Sequence, residues 1–403
     1  MKEPVLKELY LKNILSFGPD TEPIPLSSLN VIIGPNGSGK SNLIEAVSLL
    51  AAAPKDLSAP VREAGGVRDW LWKGAKNPTA TIEAILYNSV NPDMPIRHTI
   101  SFREHGNRFE VTAERIETCK PHPGYHEPFY YYRNDNGYIR LKGRAHSEAM
   151  KVSESDDGEE RQLPRDTIDP ERSILSQVKD PYYYPVLTGL TELYSGFYLY
   201  RDWVFGRYTP PRQPQKTDMP THYLSEGSEN LALVLNTLEL KPAKKAILHA
   251  LNSLYPEIDD FHSQLVGGGG IQVYLKEGSF DIPATRLSDG TLRYLCLLAI
   301  LCHPNPPPLV CIEEPELGLH PDVLPTLADL MVSASKRCQL IVTTHSEILV
   351  DALTDTPEFV IVCEKRNGST HMQRLKSDDL RDWLKEYRLG ELWIKGEIGG
   401  TRW

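Results

Sequence analysis

The sequence predicts an α/β fold in which a mixed or parallel sheet with flanking helices carries an antiparallel β meander and a helical insertion lobe. Three patterns predict this fold. The apolar stretch "LNVIIG" leads through a glycine-rich loop into the helical pattern "SNLIEAVSLLAAA". Residues 79–143 alternate apolar and polar side chains, which is typical of antiparallel strands. From Leu287 onward, helical and strand patterns alternate, as they do in a parallel sheet covered by helices.

Length and composition limit the class of protein. A chain of 403 residues with 40% hydrophobic content can bury a large core, as two lobes or as one domain with a long insertion. A net charge of -10 argues against a protein that coats nucleic acid over its whole surface, although it is compatible with a local basic groove. No cationic segment followed by an apolar run lies near Met1, and no apolar stretch approaches the roughly 20 residues that span a membrane. We therefore expect a cytoplasmic protein without a membrane partner.

The cysteines indicate a reducing compartment. They show no Cys-x-x-Cys spacing, and four of them lie in apolar runs such as "YLCLLAILC". We expect reduced core residues rather than disulfides or metal ligands. The six are Cys119, Cys296, Cys302, Cys311, Cys338 and Cys363.

The first half of the chain is predicted to contain a strand, a loop, a helix and then the meander. Leu43, Ala46, Val47 and Leu50 fall on one face of the helix, and we expect this face to pack against the sheet. The acidic run "SESDDGEERQLPRD" at 153–166 follows the meander. Because it is poor in apolar residues, it is predicted to be a solvated loop or disordered hinge.

The middle of the chain is predicted to be an insertion. Helical periodicity runs from about Arg172 to Tyr200 and again through "ENLALVLNTLELKPAKKAILHALNSLYP", and "GGGGIQVYLKE" is typical of a turn and a strand. No heptad pattern persists, so a long coiled coil is not expected. We predict a first half-core at 1–170, a helical insertion lobe at 171–270 and a second half-core at 271–403. The two chain ends are expected to build one sheet.

The loop between the first predicted strand and helix carries the strongest motif. Gly34, Gly39, Lys40 and Ser41 fit G-x-x-x-x-G-K-[ST], in which backbone N–H groups approach phosphate oxygens, lysine reaches the terminal phosphates and the hydroxyl ligates Mg²⁺. A chance glycine turn is the alternative, and the flanking strand and helix argue against it. The predicted nucleotide-binding residues here are Asn36, Gly37, Ser38, Gly39, Lys40, Ser41 and Asn42.

An acidic pair ends a predicted buried strand in "LVCIEEPE". Buried carboxylates are unfavourable unless a cation or a reacting water uses them, so Glu313 is a candidate Mg²⁺ ligand and Glu314 a candidate for polarising the attacking water. A solvated strand end is the alternative interpretation.

Two further segments are candidates for contacts with a terminal phosphate. Ser288, Asp289 and Gly290 open a strongly apolar helix, with Ser288 as its predicted N-cap; taken alone, they indicate an ordinary capped helix. His345 follows the strand pattern "LIVTT", from which an imidazole could reach a γ-phosphate, although a histidine after a strand is usually incidental.

Taken in order, four segments resemble the motifs of ABC-type ATPases. "GPNGSGKSN", "LSDGT", "CIEEPELGLHP" and "TTHS" look like the Walker A motif, the signature, the Walker B motif with its D-loop, and the switch histidine. The resemblance is closest to the RecF, SMC and OLD branch, whose members act on nucleic acid or in anti-phage defence. It covers Leu6 to about Leu50 and Arg286 to about Leu353, and "ELGLHP" favours this branch over transporter ATPases.

The resemblance implies an ABC-ATPase-type P-loop core, ATP and Mg²⁺ as cofactors, and two chains that meet head to tail, as a homodimer or a higher oligomer. Each ATP would then lie between the Walker A motif of one chain and residues 288–290 of the other. Gln177 is the candidate Q-loop glutamine, contacting Mg²⁺ and the water, with a surface glutamine as the alternative. Two departures stand out: Glu313 replaces the usual aspartate, and "LSDGT" replaces the transporter-type "LSGGQ".

The nuclease domain of OLD-type proteins has no counterpart in the sequence. Only 39 residues follow Glu364, and Asp378 with Asp379 does not form the Asp-x-Asp pair of a TOPRIM domain. The sequence therefore predicts an ATPase that controls an effector, such as a nuclease supplied as a separate chain, in an anti-phage complex. The alternative is a RecF-like DNA-repair ATPase without an effector. A transporter-type energy unit is disfavoured by the large meander and insertion.

The basic residues and the C-terminal tail each have two interpretations. The basic residues could line a DNA groove or simply face solvent. The tail "LKEYRLGELWIKGEIGGTRW" could dock a partner or pack on the body of the protein. The basic residues in question are Arg68, Lys73, Lys76, Arg140, Lys142 and Arg144.

Overall fold

A computed structural model describes residues 3–122, 124–135, 137–143, 159–164 and 167–400. In chain order its strands are β1 (Leu6–Lys12), β2 (Ile24–Pro25), β3 (Leu29–Ile33), β4 (Ala80–Leu86), β5 (Ile96–His105), β6 (Arg108–Pro121), β7 (Pro128–Asp135), β8 (Tyr138–Gly143), β9 (Glu159–Leu163), β10 (Phe197–Tyr200), β11 (Gln215–Lys216), β12 (Asp260–Val266), β13 (Gly270–Glu277), β14 (Phe280–Pro283), β15 (Leu309–Glu313), β16 (Gln339–Thr343), β17 (Val360–Arg366) and β18 (Ser369–Arg374). The α-helices are α1 (Lys40–Ala52), α2 (Ala59–Glu63), α3 (Val67–Trp70), α4 (Ile174–Gln177), α5 (Pro185–Ser195), α6 (Leu231–Glu239), α7 (Ala243–Leu254), α8 (Asp289–Leu301), α9 (Leu324–Ala334), α10 (Glu347–Asp351), α11 (Ser377–Leu380) and α12 (Leu389–Ile394).

The central sheet joins the two ends of the chain, as predicted. Its strand order is β10-β15-β16-β3-β17-β18, and every neighbouring pair is parallel except β17 with β18. Strands β3 and β16 are buried along their whole length, which explains why they are nearly continuous apolar runs. Because β10, β15, β16, β3 and β17 run in the same direction, their carboxyl ends share one edge of the sheet.

Strand β10 comes from the segment that periodicity predicted to be helical. The helical prediction up to Tyr200 is wrong for Phe197–Tyr200, which pairs in parallel with β15. Aromatic residues such as those of "FYLY" favour strands, but the run is short and directly follows helix α5, so it was predicted as a continuation of the helical pattern. This segment of the predicted insertion lobe therefore contributes an edge strand to the central sheet.

The meander predicted at 79–143 corresponds to β4–β8, which belong to an eight-stranded sheet of order β2-β1-β4-β5-β6-β7-β8-β9 in which all pairs are antiparallel. Part of the acidic run belongs to it, because Glu159–Leu163 forms β9 and pairs with β8. The loop prediction is therefore wrong for these five residues. Residues 153–158, 165 and 166 of the same run lie outside the described residues.

The central sheet separates two hydrophobic cores. Neighbouring residues of one strand serve different cores: Val31 packs with α8 and α9, while Ile32 packs with α1 and the antiparallel sheet. The predicted inner face of α1 is confirmed, since Leu43, Ala46, Val47 and Leu50 are all buried. The order of layers is thus antiparallel sheet, α1, central sheet, and the helices that include α8 and α9.

The remaining elements complete this frame. Helices α6 and α7 pack near α8, and α6 covers the small sheet formed by β11, β12, β13 and β14. All six cysteines are free, and five of them are buried, as expected for core residues, whereas Cys119 is half-buried. No helix within the described part of the chain is long and apolar enough to cross a membrane.

Candidate active site

The glycine-rich loop joins β3 to α1 at the carboxyl edge of the central sheet. Gly34, Gly37 and Gly39 adopt φ values of 150°, 78° and 112°. A side chain would be impossible at two of them, because a Cβ on Gly34 would overlap the carbonyl of Cys363 and one on Gly39 would overlap the hydroxyl of Thr370. The motif glycines are therefore required both by the backbone angles and by the close approach of β17 and β18.

Side chains from two distant segments support this loop. The Thr370 hydroxyl donates to the carbonyl of Ser38 at 2.6 Å, and its oxygen lies within hydrogen-bond distance of the Ser16 hydroxyl, at 2.7 Å. The Asn42 amide donates to the same Ser16 oxygen at 2.7 Å. Nucleotide binding by Asn42 stays a prediction, and the bond of its side chain to Ser16 helps to fix the loop. Ser16 and Thr370 were missed, because nothing in the sequence places them beside the loop.

Lys40 is the first residue of α1 and is buried. Its Nζ donates to the carbonyl oxygens of Gly34 at 2.8 Å and Pro35 at 3.2 Å. Burial lowers the pKa of Lys40, while Cys363, Glu314, Glu316 and Glu313 act in the opposite direction. The lysine ammonium and three carboxylates from the loop after β15 therefore lie close enough to interact.

Glu313 ends β15 and is held from two sides. Its Oε2 accepts from Arg201 Nε at 3.2 Å, and its backbone carbonyl accepts from Trp203 Nε1 at 3.2 Å. Arg201 also donates from Nη2 to Glu45 Oε1 of α1 at 3.0 Å. Although burial opposes it, the two carboxylates Glu313 and Glu45 raise the pKa of Arg201. The Glu313 Oε1 atom is buried and has no hydrogen-bond partner.

Glu314 adopts the left-handed conformation, with φ of 44°, directly after the strand. Its backbone N–H donates to the carbonyl of Thr343 at 3.0 Å, and its carbonyl accepts from Arg293 Nη2 at 2.7 Å. A non-glycine residue in this region is strained and persists only where its surroundings fix it. Here β16 and α8 supply that constraint, which directs the Glu314 side chain toward His345.

His345 lies 3.5 Å from Glu314, measured from Nε2 to Oε1. Burial and the neighbouring Lys40 lower the pKa of His345, and Glu314 opposes them. The backbone N–H of His345 donates to Glu316 Oε1 at 2.7 Å. Glu316 Oε2 is buried without a hydrogen-bond partner, and burial raises the pKa of this carboxyl group. Sequence reasoning predicted the roles of Glu314 and His345 but assigned no contact to Glu316.

The predicted signature segment opens α8. Ser288 is the N-cap, since its hydroxyl accepts from the Thr291 N–H at 3.0 Å. Asp289 is ion-paired with Arg212, and both Ser288 and Asp289 are exposed. A Cβ on Gly290 would lie 2.5 Å from the carbonyl of Gly318, so this glycine allows α8 to contact the loop after β15.

The side-chain hydrogen bonds of Gln177 do not connect it to the residues described above. Its Oε1 accepts from the Asp169 N–H at 2.8 Å, and its Nε2 donates to the carbonyls of Asp169, Arg172 and Ser173. The amide is therefore engaged in its own turn, and a catalytic role for Gln177 stays a prediction. The side chain that approaches Glu313 from the carboxyl end of a neighbouring strand is Arg201.

The site fits Mg²⁺ and a nucleotide in its chemistry. Glu313 Oε1 is a buried acceptor without a partner beside a buried ammonium, and a cation or polar ligand would satisfy it. Within the described ranges, no group of three or more His, Cys, Asp and Glu side chains forms a metal cage. Mg²⁺ needs none, since it is held by one or two protein oxygens together with phosphate oxygens and water. Ser41 follows Lys40 in the first turn of α1 and is exposed, so its hydroxyl can serve this purpose.

Comparison with known protein families agrees with a nucleotide-binding site. Residues 29–351 match the family described as "AAA domain, putative AbiEii toxin, Type IV TA system". The chain belongs to this AAA family. No curated protein sequence matches the chain significantly.

Solved structures show which fold the family member adopts. A crystal structure of the Smc head bound to the C-winged helix domain of ScpA matches with a TM-score of 0.56 and 17% identity, covering 93% of this chain and 99% of that one. The Smc head with an extended coiled coil bound to the C-terminal domain of ScpA, from Pyrococcus furiosus, gives 0.55 and 16%, with 95% and 99% coverage. The Smc head with a coiled coil and joint from Pyrococcus yayanosii gives 0.50 and 14%, with 95% and 99% coverage. The chain thus has the ABC-type ATPase fold of Smc head domains.

Proposed function

We propose that this protein is a Mg²⁺-dependent ATPase whose Glu314 polarises the attacking water. The observation that carries the proposal is the convergence of Lys40, Glu313, Glu314 and His345 at one sheet edge beside the glycine-rich loop. The family and fold imply nucleotide binding and ATP hydrolysis. Buried, convergent ionisable groups next to a phosphate-binding loop are the arrangement that such chemistry needs.

Each residue has a distinct role in this proposal. Backbone N–H groups of residues 36–41 and the Lys40 ammonium bind the phosphates, since a helix N-terminus favours an anion. Ser41 and Glu313 hold Mg²⁺, which neutralises charge on the phosphates when bound. Arg201 and Trp203 fix Glu313 through its carboxylate and its carbonyl, respectively. His345 contacts the terminal phosphate, and Gln177 receives no role.

We further propose that ATP joins two copies of the chain. Ser288 and Asp289 are exposed at the start of the 13-residue helix α8, where a second chain's γ-phosphate can reach free N–H groups. Shifting a population from 1:99 to 99:1 requires about 5.5 kcal/mol. Charge-assisted hydrogen bonds contribute about 1.5 to 3 kcal/mol each, so a few at each of two sites suffice.

The ATP cycle is proposed to control a separate effector, such as a nuclease, in an anti-phage complex. Two observations support this choice: the family description names a toxin of a type IV system, and Smc heads of the same fold bind a partner protein, ScpA. The second candidate is a RecF-like DNA-repair ATPase, which the shared fold also permits. The proposed DNA groove gains little support, because Arg68 is paired with Glu104 and Lys73 with Asp69.

The substitution Glu314→Gln tests the ATPase and the dimer together. We expect ATP binding to be retained, turnover to fall by about 100-fold or more because the water is no longer polarised, and a dimer to accumulate with Mg-ATP. Radiolabelled ATP binding, phosphate release and light scattering measure the three effects. Adding Ser288→Arg to this variant should abolish the dimer and keep nucleotide binding.

Glu257→Gln is the matched control, since Glu257 is exposed and lies outside the site. It should leave all three measurements at wild-type values. A Glu314→Gln protein that hydrolyses ATP at the wild-type rate would defeat the catalytic assignment. Salt-dependent DNA binding stimulated by ATP, with no toxicity from the product of a neighbouring gene, would favour the repair function over effector control.

A further inference from the structure

Two glutamates of the same loop hold the same histidine. Glu314 contacts the His345 imidazole, and Glu316 accepts the His345 backbone N–H. The loop that carries both glutamates follows β15, and the histidine follows β16, which is the neighbouring strand. The hydrogen bond between Glu316 and His345 therefore connects the segments that follow β15 and β16, just beyond the last paired residues of these two parallel strands.

The backbone of this region shows why an acceptor is needed there. The Thr344 N–H still bonds to the carbonyl of Ile32 in β3, and the Ser346 N–H bonds to the Thr344 hydroxyl. Between them, the His345 N–H has no strand carbonyl and uses Glu316 Oε1 instead. At 2.7 Å this bond is short and direct, so it fixes the peptide plane that carries the imidazole.

The loop after β15 is shaped to deliver the Glu316 carboxylate. Glu314 has positive φ, and Pro315 then restricts the next backbone angle. Two turns follow, in which the Leu317 N–H donates to the carbonyl of Glu314 and the Leu319 N–H donates to that of Glu316. Glu316 is consequently a short, rigid connection between the residue that polarises water and the residue that contacts phosphate.

We propose that Glu316 is a positioning residue of the ATPase site, which sets the His345 imidazole against Glu314 by accepting the His345 backbone N–H. The inference rests on the proposed ATPase function and deepens it. The contact needs an acceptor oxygen and not a negative charge, which agrees with burial raising the pKa of this carboxyl group. A metal ligand or a proton donor at the same position would instead require the carboxyl group itself.

The decisive experiment compares Glu316→Gln with Glu316→Ala in steady-state ATP hydrolysis. Glutamine keeps an acceptor oxygen and should leave kcat within about threefold of wild type, whereas alanine should lower kcat by about tenfold or more, because small misplacements of a reacting group are costly. The KM for ATP should stay within about threefold in both variants, since neither removes a phosphate contact. Equal losses of kcat in the two variants would overturn the positioning role.

A double-mutant cycle tests whether Glu316 acts through His345. His345→Ala should lower kcat by about tenfold, and Glu316→Ala added to it should cause no further loss. Losses that multiply, or a His345→Ala variant with normal kcat, would overturn the proposal. Melting temperatures are recorded for each variant, and if Glu316→Ala fails to fold, Glu316→Met, which nearly keeps the side-chain volume and removes the acceptor oxygen, takes its place in the cycle.

Failure of the proposed function gives a different pattern. A wild-type protein without ATPase activity, or a Glu314→Gln protein with wild-type turnover, would contradict the ATPase assignment whatever Glu316 does. Active wild type, inactive Glu314→Gln and an unaffected Glu316→Ala would contradict only the positioning role.

Discussion

The two large sheets each contain a histidine–glutamate pair, and the two pairs differ in how completely they are bonded. In the antiparallel sheet, His98 Nε2 lies 3.0 Å from Glu114 Oε1, and His98 Nδ1 lies 2.9 Å from the Tyr194 hydroxyl. Glu114 also accepts from the Ser173 hydroxyl and, at 2.9 Å, from the Ile174 N–H. All the side chains of this network are buried.

The pair at the edge of the central sheet is built differently. His345 and Glu314 are 3.5 Å apart, and about a third of each side chain is exposed (34% and 35%). Neighbouring carboxylates keep buried oxygen atoms without partners. A fully bonded polar network stabilises a fold, whereas unpaired groups beside a phosphate-binding loop are available to a ligand. The same two residue types thus serve structure in one sheet and, we propose, chemistry in the other.

Glu114→Ala should give the largest effect, and it should be an effect on stability. The substitution leaves His98, Ser173 and the Ile174 N–H without their acceptor in a buried site, so the free energy of unfolding should fall by about 3–5 kcal/mol. Urea denaturation followed by circular dichroism measures it. In contrast, Glu314→Gln should change the unfolding free energy by less than about 1 kcal/mol, because its carboxylate is partly exposed.

Glu110→Ala on the same strand is the control for this comparison. Glu110 pairs with Arg103, whose side chain is about half exposed (48%). Removal of the Glu110 carboxylate should therefore lower the free energy of unfolding by less than about 1 kcal/mol. Similar unfolding free energies for the Glu110 and Glu114 variants would contradict the view that the His98–Glu114 network stabilises the fold.

Trp203→Phe should have an intermediate effect that is confined to activity. The indole N–H donates to the carbonyl of Glu313, and the Arg293 guanidinium lies over the same ring, 5.1 Å from its centroid. Phenylalanine keeps an aromatic face and removes the donor, which should lower kcat about fivefold, as expected for one hydrogen bond of about 1 kcal/mol. Phosphate release assays measure this change. Trp383→Phe, at a partly exposed tryptophan outside the site, should have no effect.

Much of the fold was predictable because its signals are local. The apolar runs of β3, β15 and β16, the alternation in β4 to β8 and the inner face of α1 all appear in the sequence as periodicity. Strand β10 was missed because four aromatic and apolar residues beside a helix do not define a period. Strand β9 was missed because an acidic edge strand has the composition of a loop.

The candidate site was predictable only where residues adjoin a motif. Lys40, Glu313, Glu314 and His345 lie within segments with recognisable spacing, and the structure brings them together. The supporting residues could not be found in this way, because they reach the site from other segments of the chain through tertiary packing. They are Ser16, Arg201, Trp203, Arg293 and Thr370.

The smallest predicted effect is a change in how the stability of the protein depends on pH, and it concerns His345 of the partly exposed His345–Glu314 pair. Burial and Lys40 lower the pKa of His345 in the folded protein, whereas an unfolded histidine titrates near about 6.5. Between the lowered pKa and about 6.5, the unfolded state binds more protons, so stability contributed by neutral His345 is present above this window and is lost as the pH falls through it. His345→Asn should therefore lose less stability than wild type on acidification.

Urea midpoints recorded between about pH 5.5 and 8 test this prediction in the absence of nucleotide. The variant should still lose some stability, because burial, helped by His222 and Lys241, also lowers the pKa of His303. A His303→Asn variant should reduce the same slope independently, and the two changes should add, since the residues share no hydrogen bond. Identical slopes for wild type and His345→Asn would contradict a lowered pKa of His345 in the folded protein, and with it the combined effect of burial and Lys40 on the imidazole.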